Sequence, residues 1–346
     1  MVSKKKIYLT LGAAIMFLLS ACDSDELFTF PKDNETAPVN KTENKQTTTT
    51  KEDDDVITLP EGILQKGDQS HDVNTLKKVL NQLDYDLDET NRFDDKTVWA
   101  LTDFQLQIDG VDITGTFDNK TKLALEAQLA IDNRVKPGEG LSYQEDTKGK
   151  NDITVTGNPY EILVLVNKEH ALPDNFIPED LVTPNVRFPF TEDLPKKQMR
   201  EVAADALEKM FDAADEEGLE LFAQSGFRSF ERQEDIFAAN VEKNGEKAAN
   251  KYSARPGESE HQTGLTMDVT SADVNFDLII EFGDTPGGQW IEKHASDYGF
   301  IIRYPEEKED VTKYQYEPWH LRYVGEKAAK EINQKNITLE EYLEDF

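Results

Sequence analysis

Apolar residues fall into helix-like or strand-like spacing only from Ile57 onward, and that patterning lapses once, between Ala130 and Gly157. A chain interrupted in this way is expected to close a small core first and a larger one after the gap. With 346 residues, 37% of them hydrophobic, there is enough apolar side chain for both. In the first block Val73, Leu76, Leu80 and Leu83 mark one helical face; Val98, Leu101, Phe104 and Gln105 mark a second; Thr121, Leu123, Leu125 and Leu129 mark a third. Asp94 and Asp118 each precede a helix in the near-identical phrases "FDDKT" and "FDNKT", as N-caps would, and the repetition suggests an internal duplication.

After the polar stretch "VKPGEGLSYQEDTKGKND" the second block mixes the two periodicities. "EILVLVNK" reads as a buried strand, "KKQMREVAADALEKMFDAADEEG" as an amphipathic helix closed by glycine, and "LELFAQSGFRS" as a strand entering a loop. "FERQEDIFAANVEKNGEKAANKY" and "QWIEKHASDYG" read as helices, "GLTMDVT" and "GFIIRY" as strands. Hairpin-type loops fit these spacings better than regular crossovers, so the expected class is α+β with a mainly antiparallel sheet and helices packed on it.

The first 56 residues have a different character. "MVSKKKIYLTLGAAIMFLLSACDSDE" has a basic start, an apolar run from Ile7 to Leu19, then small residues directly before Cys22, the one cysteine in the chain. This is a secretory signal pattern, too short for a comfortable membrane span. Its "LSAC" ending resembles a bacterial lipoprotein lipobox, which implies lipidation of Cys22, removal of residues 1–21 and an extracytoplasmic, lipid-anchored protein. Residues 22–56, with the run "KQTTTTKEDDD", cannot bury enough surface to offset their ordering entropy and read as a flexible tether. One cysteine excludes an intrachain disulfide. A formal charge of −31 argues against nucleic acid as a partner of the folded part, and a tethered monomer is expected.

Among the five histidines, His71 sits in the helical block, His170 in a Pro-rich loop and His294 in a helix beside Trp290. That leaves His261 in "GESEHQTGLTMDV" and His320 in "YQYEPWH", with Asp268 and Glu317 beside them in the same phrases. Catalytic zinc takes three protein ligands and leaves a fourth position open, and two imidazoles with one carboxylate suit it. A carboxylate such as Glu317 could then serve as general base and acid. Alternation in "GLTMDV" turns Asp268 away from Leu265, Met267 and Val269, toward a cleft. On spacing alone, two histidines and an aspartate that never meet remain the more ordinary reading.

The wording of the motifs adds to the spacing. "S-x-H-x-x-G-x-x-x-D" at 259–268, "SGFRS-x-x-x-Q" at 225–233 and "E-P-W-H" at 317–320 occur together in the chain. The combination resembles the VanY-type D-alanyl-D-alanine carboxypeptidases, zinc enzymes of the bacterial cell wall that share a fold with the D-Ala-D-Ala dipeptidases and the hedgehog signalling domain. The resemblance implies one catalytic Zn2+ held by His261, Asp268 and His320, with Glu317 as catalytic base. It implies Arg228 on the substrate carbonyl oxygen, and Ser225, Gln233, Ser259 and Trp319 about the substrate. Phe227 and Thr266 depart from the Tyr and Ala common at those places. The block near 59–129 is similar to the small three-helix peptidoglycan-binding domain of wall hydrolases, with Asp84-Tyr85 where Gly-Tyr is usual.

The expected organisation is therefore a signal peptide (1–21), a tether (22–56), a peptidoglycan-binding domain (57–130), a linker (131–157) and a zinc carboxypeptidase domain (158–346). The expected activity is removal of the terminal D-Ala from peptidoglycan stem peptides. An L,D-carboxypeptidase or an endopeptidase would carry the same metal motif. A non-catalytic wall-binding lipoprotein with structural zinc is the alternative outside the enzymes, although such a site has no need of Glu317.

Overall fold

The computed structural model describes residues 58–344 and Phe346. The signal segment, Cys22 and the tether lie outside the described residues. Among the described residues no helix is long and apolar enough to cross a membrane.

Three helices open the folded part: α1 (His71–Asn81), α2 (Asp95–Leu106) and α3 (Asn119–Leu129). Asp94 and Asp118 cap α2 and α3, each accepting from the backbone N–H three residues on, so the two "FD-x-K-T" phrases do equivalent work. Val73, Leu76, Leu80, Leu83, Val98, Leu101, Phe104 and Leu125 close one core. Gln105 is its polar hub. Its Nε2 donates to the Thr116 carbonyl at 2.8 Å and its Oε1 accepts from the N–H groups of Thr114 and Gly115, each at 2.8 Å. Leu123, expected on the α3 face, is 58% exposed, because two residues from Thr121 is more than half a turn away from it.

Residues 131–157 are held in place. Asp103 on α2 accepts from the backbone N–H groups of Gly138, Gly140 and Leu141, and Trp99 donates to the Leu141 carbonyl. The stretch contributes β1 (Thr147–Lys148) and β2 (Thr154–Val155), which join β3 (His170–Ala171) in a small sheet. β4 (Leu181–Val182) and β5 (Met199–Arg200) form a second, two-stranded antiparallel sheet.

The larger core surrounds an antiparallel sheet in the order β6 (Phe222–Ser225), β7 (Thr266–Thr270), β9 (His320–Tyr323), β8 (Phe300–Ile302). The α+β expectation holds. Packed with it are α4 (Glu201–Glu216), α5 (Phe230–Asn244), α6 (Glu246–Tyr252), α7 (Pro286–His294), the single turn α8 (Glu309–Thr312), α9 (Glu326–Lys335) and α10 (Leu339–Leu343). The helix expected over 230–252 is two, α5 and α6, divided at Gly245, whose φ of 79° no right-handed helix permits.

"EILVLVNK" is buried, as expected, but it is not a strand. The carbonyls of Ile162 and Val164 accept from one guanidinium nitrogen of Arg322, at 2.9 and 2.8 Å, and the Ile162 N–H donates to Thr114 O. These backbone groups are satisfied without a neighbouring strand, so apolar, β-branched composition could not tell the two cases apart.

The helical part and the sheet part share a seam. Lys327 on α9 pairs with Asp68 at 2.6 Å, Gln65 Nε2 donates to the Tyr342 hydroxyl at 2.8 Å, and Lys66 pairs with Glu161 at 3.2 Å. Arg200, fully buried, donates to Tyr160 O, to Ile113 O of the helical part and to Asp180.

Candidate active site

Strand alternation builds the site. Met267, Val269, Leu321 and Trp319 belong to the hydrophobic core, so their neighbours Asp268 and His320 face the other way, directly opposite each other across the β7–β9 pair. A register shift between Ala223 and Ser225 on β6 sets Ser225 opposite Asp268 as well. Bulges of this kind re-aim side chains beside active sites.

His261 comes from a short 3-10 turn, Glu260–Thr263, that ends at Gly264 with φ 70°. A Cβ at Gly264 would lie 2.8 Å from Arg200 Cγ and 3.0 Å from Leu181 Cδ2. Conformation and space both require glycine there, which explains the glycine of "H-x-x-G". Gly226 is the second case: any Cβ would run into the Gln198 carbonyl, and the Gly226 carbonyl itself accepts from His261 Nδ1 at 2.8 Å. That bond leaves the His261 Nε2 lone pair free to face Asp268 Oδ2 at 3.5 Å.

His320 Nδ1 lies 2.9 Å from Asp268 Oδ1, and the two imidazole rings stand nearly perpendicular with centroids 5.1 Å apart. One ligand atom from each of His261, Asp268 and His320 falls within a sphere where all are under 4.8 Å from one another, and all three residues are buried. Two ligands at zinc's usual 2.0–2.1 Å in a tetrahedron sit roughly 3.3 Å apart, so the spacing and the N, N, O donor set fit that ion.

Burial depresses His261 to about 3, with Arg228 adding to the effect, so its imidazole is neutral and able to ligate. Burial would depress His320 too, but its contacts with Asp268 and Glu260 outweigh this and raise it to about 9. To ligate an ion, the His320 imidazole must be neutral. Glu317 lies on the loop entering β9 with Oε2 3.9 Å from His320 Nδ1. Burial lifts it to about 7; Asp268 pushes the same way, and His320 and Arg228 oppose.

Arg228, Gln233, Ser259, His261, Glu317 and His320 line one cleft of about 210 Å³. Arg228 Nη1 donates to Gln233 Oε1 at 2.9 Å and Nη2 to Ser225 Oγ at 3.4 Å, and the Gln233 amide donates on to the Ala254 carbonyl. Gln233 and Ser225 thus aim the guanidinium. Trp319 does not line this cleft; one residue from His320, it packs into the core on the opposite face of the sheet. Thr266 is fully buried and donates to the Glu260 carbonyl.

Sequence reading missed the layer behind the site. Glu260 is fully buried and accepts from Arg303 Nε and Arg322 Nη1, both at 2.7 Å. Arg303 in turn makes a two-pronged contact with Glu340 of α10. The only hint in the sequence was a glutamate beside a candidate ligand histidine, and its two arginine partners lie 43 and 62 residues away.

Residues 196–326 match the family model for VanY D-alanyl-D-alanine carboxypeptidases, and residues 69–126 match a peptidoglycan binding domain. A candidate carboxypeptidase of Bacillus subtilis (strain 168), YodJ, is 54% identical over 229 residues, which is 66% of this chain and 81% of YodJ. The chain belongs to the VanY carboxypeptidase family. A D-alanyl-D-alanine carboxypeptidase of Enterococcus faecium is 31% identical over 60% of this chain and 66% of its own length. The solved structure of LdcB, an LD-carboxypeptidase, shares 55% identity over 58% of this chain and 94% of LdcB, with a TM-score of 0.57. This VanY-family chain therefore pairs a carboxypeptidase domain with a peptidoglycan-binding domain.

Proposed function

We propose that this protein is a zinc carboxypeptidase that releases the C-terminal D-alanine of peptidoglycan stem peptides, anchored outside the cytoplasm through a lipid on Cys22. The observation that carries the reading is that His261 and His320, grouped with buried Asp268, line the same cleft as Glu317 and Arg228. His261, Asp268 and His320 would hold the ion. Zinc, when bound, supplies a Lewis acid for the scissile carbonyl and an open position for water.

The protein's own groups do the rest. Glu317 takes a proton from the attacking water and delivers it to the departing amine, so that water adds across the C–N bond as it breaks. Burial raises Glu317 to about 7, which makes it a stronger base toward the water than an ordinary carboxylate and lets it keep the proton near neutral pH until the amine departs. Arg228, oriented by Gln233 and Ser225, donates toward the oxygen on which negative charge develops. Ser259, which lines the cleft, would contact the peptide.

Two substrates satisfy this chemistry, a pentapeptide ending in D-Ala-D-Ala and a tetrapeptide ending in a single D-Ala. The family description favours the first, and the 55% identity to an LD-carboxypeptidase favours the second. The decisive experiment gives the purified, zinc-loaded protein both muropeptides and reads products by mass spectrometry. Loss of one alanine, abolished in Glu317→Ala, establishes the activity, and the substrate consumed establishes the specificity. Zinc binding without cleavage of any stem peptide would sink the catalytic reading in favour of a wall-binding lipoprotein.

A further inference from the structure

The environment of Glu260 shows what holds the second histidine in place. Its Oε1 serves two guanidinium groups, Arg303 and Arg322, and these are themselves fixed, Arg303 by Glu340 and Arg322 by the carbonyls of Ile162 and Val164. Its backbone carbonyl accepts from the hydroxyls of Thr263 and Thr266. The carboxylate therefore cannot swing away, and its second oxygen is left facing His320 Nε2 at 3.5 Å. Among the described residues neither Glu260 Oε2 nor His320 Nε2 has any hydrogen-bond partner. Two orphaned polar atoms, both buried and facing each other, are a poor arrangement unless a proton lies between them.

A neutral imidazole carries one N–H, and the ring nitrogen grouped with Asp268 and His261 must present a lone pair to bind an ion. In His320 that is Nδ1, so the proton belongs on Nε2, where Glu260 waits. We propose that Glu260 is a positioning residue: it accepts the Nε2–H of His320 and so fixes both the tautomer and the ring orientation that aim Nδ1 at the ion. The two ligand histidines are then held differently, His261 by a neutral backbone carbonyl and His320 by a full carboxylate backed by two arginines. A carboxylate acceptor also raises the ligand's basicity, which a carbonyl does less well. This inference rests on the zinc reading of the site.

Glu260→Asp is the discriminating variant. It keeps a negative charge for Arg303 and Arg322 while drawing the carboxylate back from His320 by one methylene. Zinc affinity of the full-length protein is measured by competition with a chromogenic chelator, beside thermal melts and stem-peptide kinetics at saturating zinc. The expected result is a variant that melts close to the parent yet binds Zn2+ about 10- to 100-fold more weakly. Its kcat falls while KM holds. A folded Glu260→Asp that holds zinc as tightly as the parent overturns the inference and leaves the proposed function standing. A parent that binds no zinc overturns both. Should the variant not fold, the parent decides: nitrogen-15 NMR of the zinc-loaded protein must show His320 Nε2 protonated, and an ion on Nε2 instead removes any role for Glu260.

Discussion

The proposed chemistry depends on a few side chains whose replacement has separable signatures. Glu317→Gln keeps shape and removes the proposed base. It should lower kcat on the order of 10³-fold, within the usual span for a general acid–base group, while zinc stoichiometry by metal analysis stays at that of the parent. Arg228→Lys preserves charge but not the planar fork that Gln233 and Ser225 hold, so kcat should drop about 10²-fold with the fold intact by circular dichroism. Gly264→Ala acts on the backbone. With φ at 70° and Arg200 Cγ so near, it should cost about 1–3 kcal/mol in denaturant unfolding; an unchanged midpoint would show that the turn relaxes freely.

Elements meet the site through their ends and edges. The β7–β9 pair carries two of the three candidate ligands, and a short glycine-closed turn supplies the third. α10, only five residues long, is held by a capping box at Thr338 and Glu341 and by the Arg303–Glu340 contact. Burial alone would raise the Glu340 carboxyl, but Arg303 more than offsets it and holds it below the usual carboxylate range. A depressed folded pKa means a contribution to stability that is present above the unfolded value, about 4.3, and lost as pH falls through the folded value. Calorimetric melts should therefore show Glu340→Gln less stable than the parent at pH 7, with the gap narrowing below about pH 4. A constant gap across that range would assign the loss to packing instead.

Across the whole folded part, the seam joins wall-binding and catalytic portions by specific contacts, with Arg200 of the catalytic portion donating to the Ile113 carbonyl of the helical one. A truncated chain beginning at residue 158 strips Arg200 of that carbonyl and Lys327 of Asp68. It should melt several degrees below the longer protein, since a buried donor left unpaired costs about 1–3 kcal/mol. Equal melting temperatures would mean that the two portions fold as independent units.

Much of this was legible in the chain alone. The trio His261, Asp268 and His320 was reached only through the likeness of three motifs to a known family, whereas the first two helical faces of the first block, the Asp94 and Asp118 caps and the α+β class follow from local periodicity or from phrases of about ten residues. Such signals are local because capping, alternation and tight turns are set by near neighbours. What needed the fold depends on residues far apart in sequence. "EILVLVNK" does not become a strand because Arg322, about 160 residues later, takes its carbonyls. Trp319 turns into the core because pairing with β7 fixes which face His320 shows. Glu260 gains its place from Arg303, Arg322 and His320, whose arrival around one buried carboxylate no spacing rule encodes.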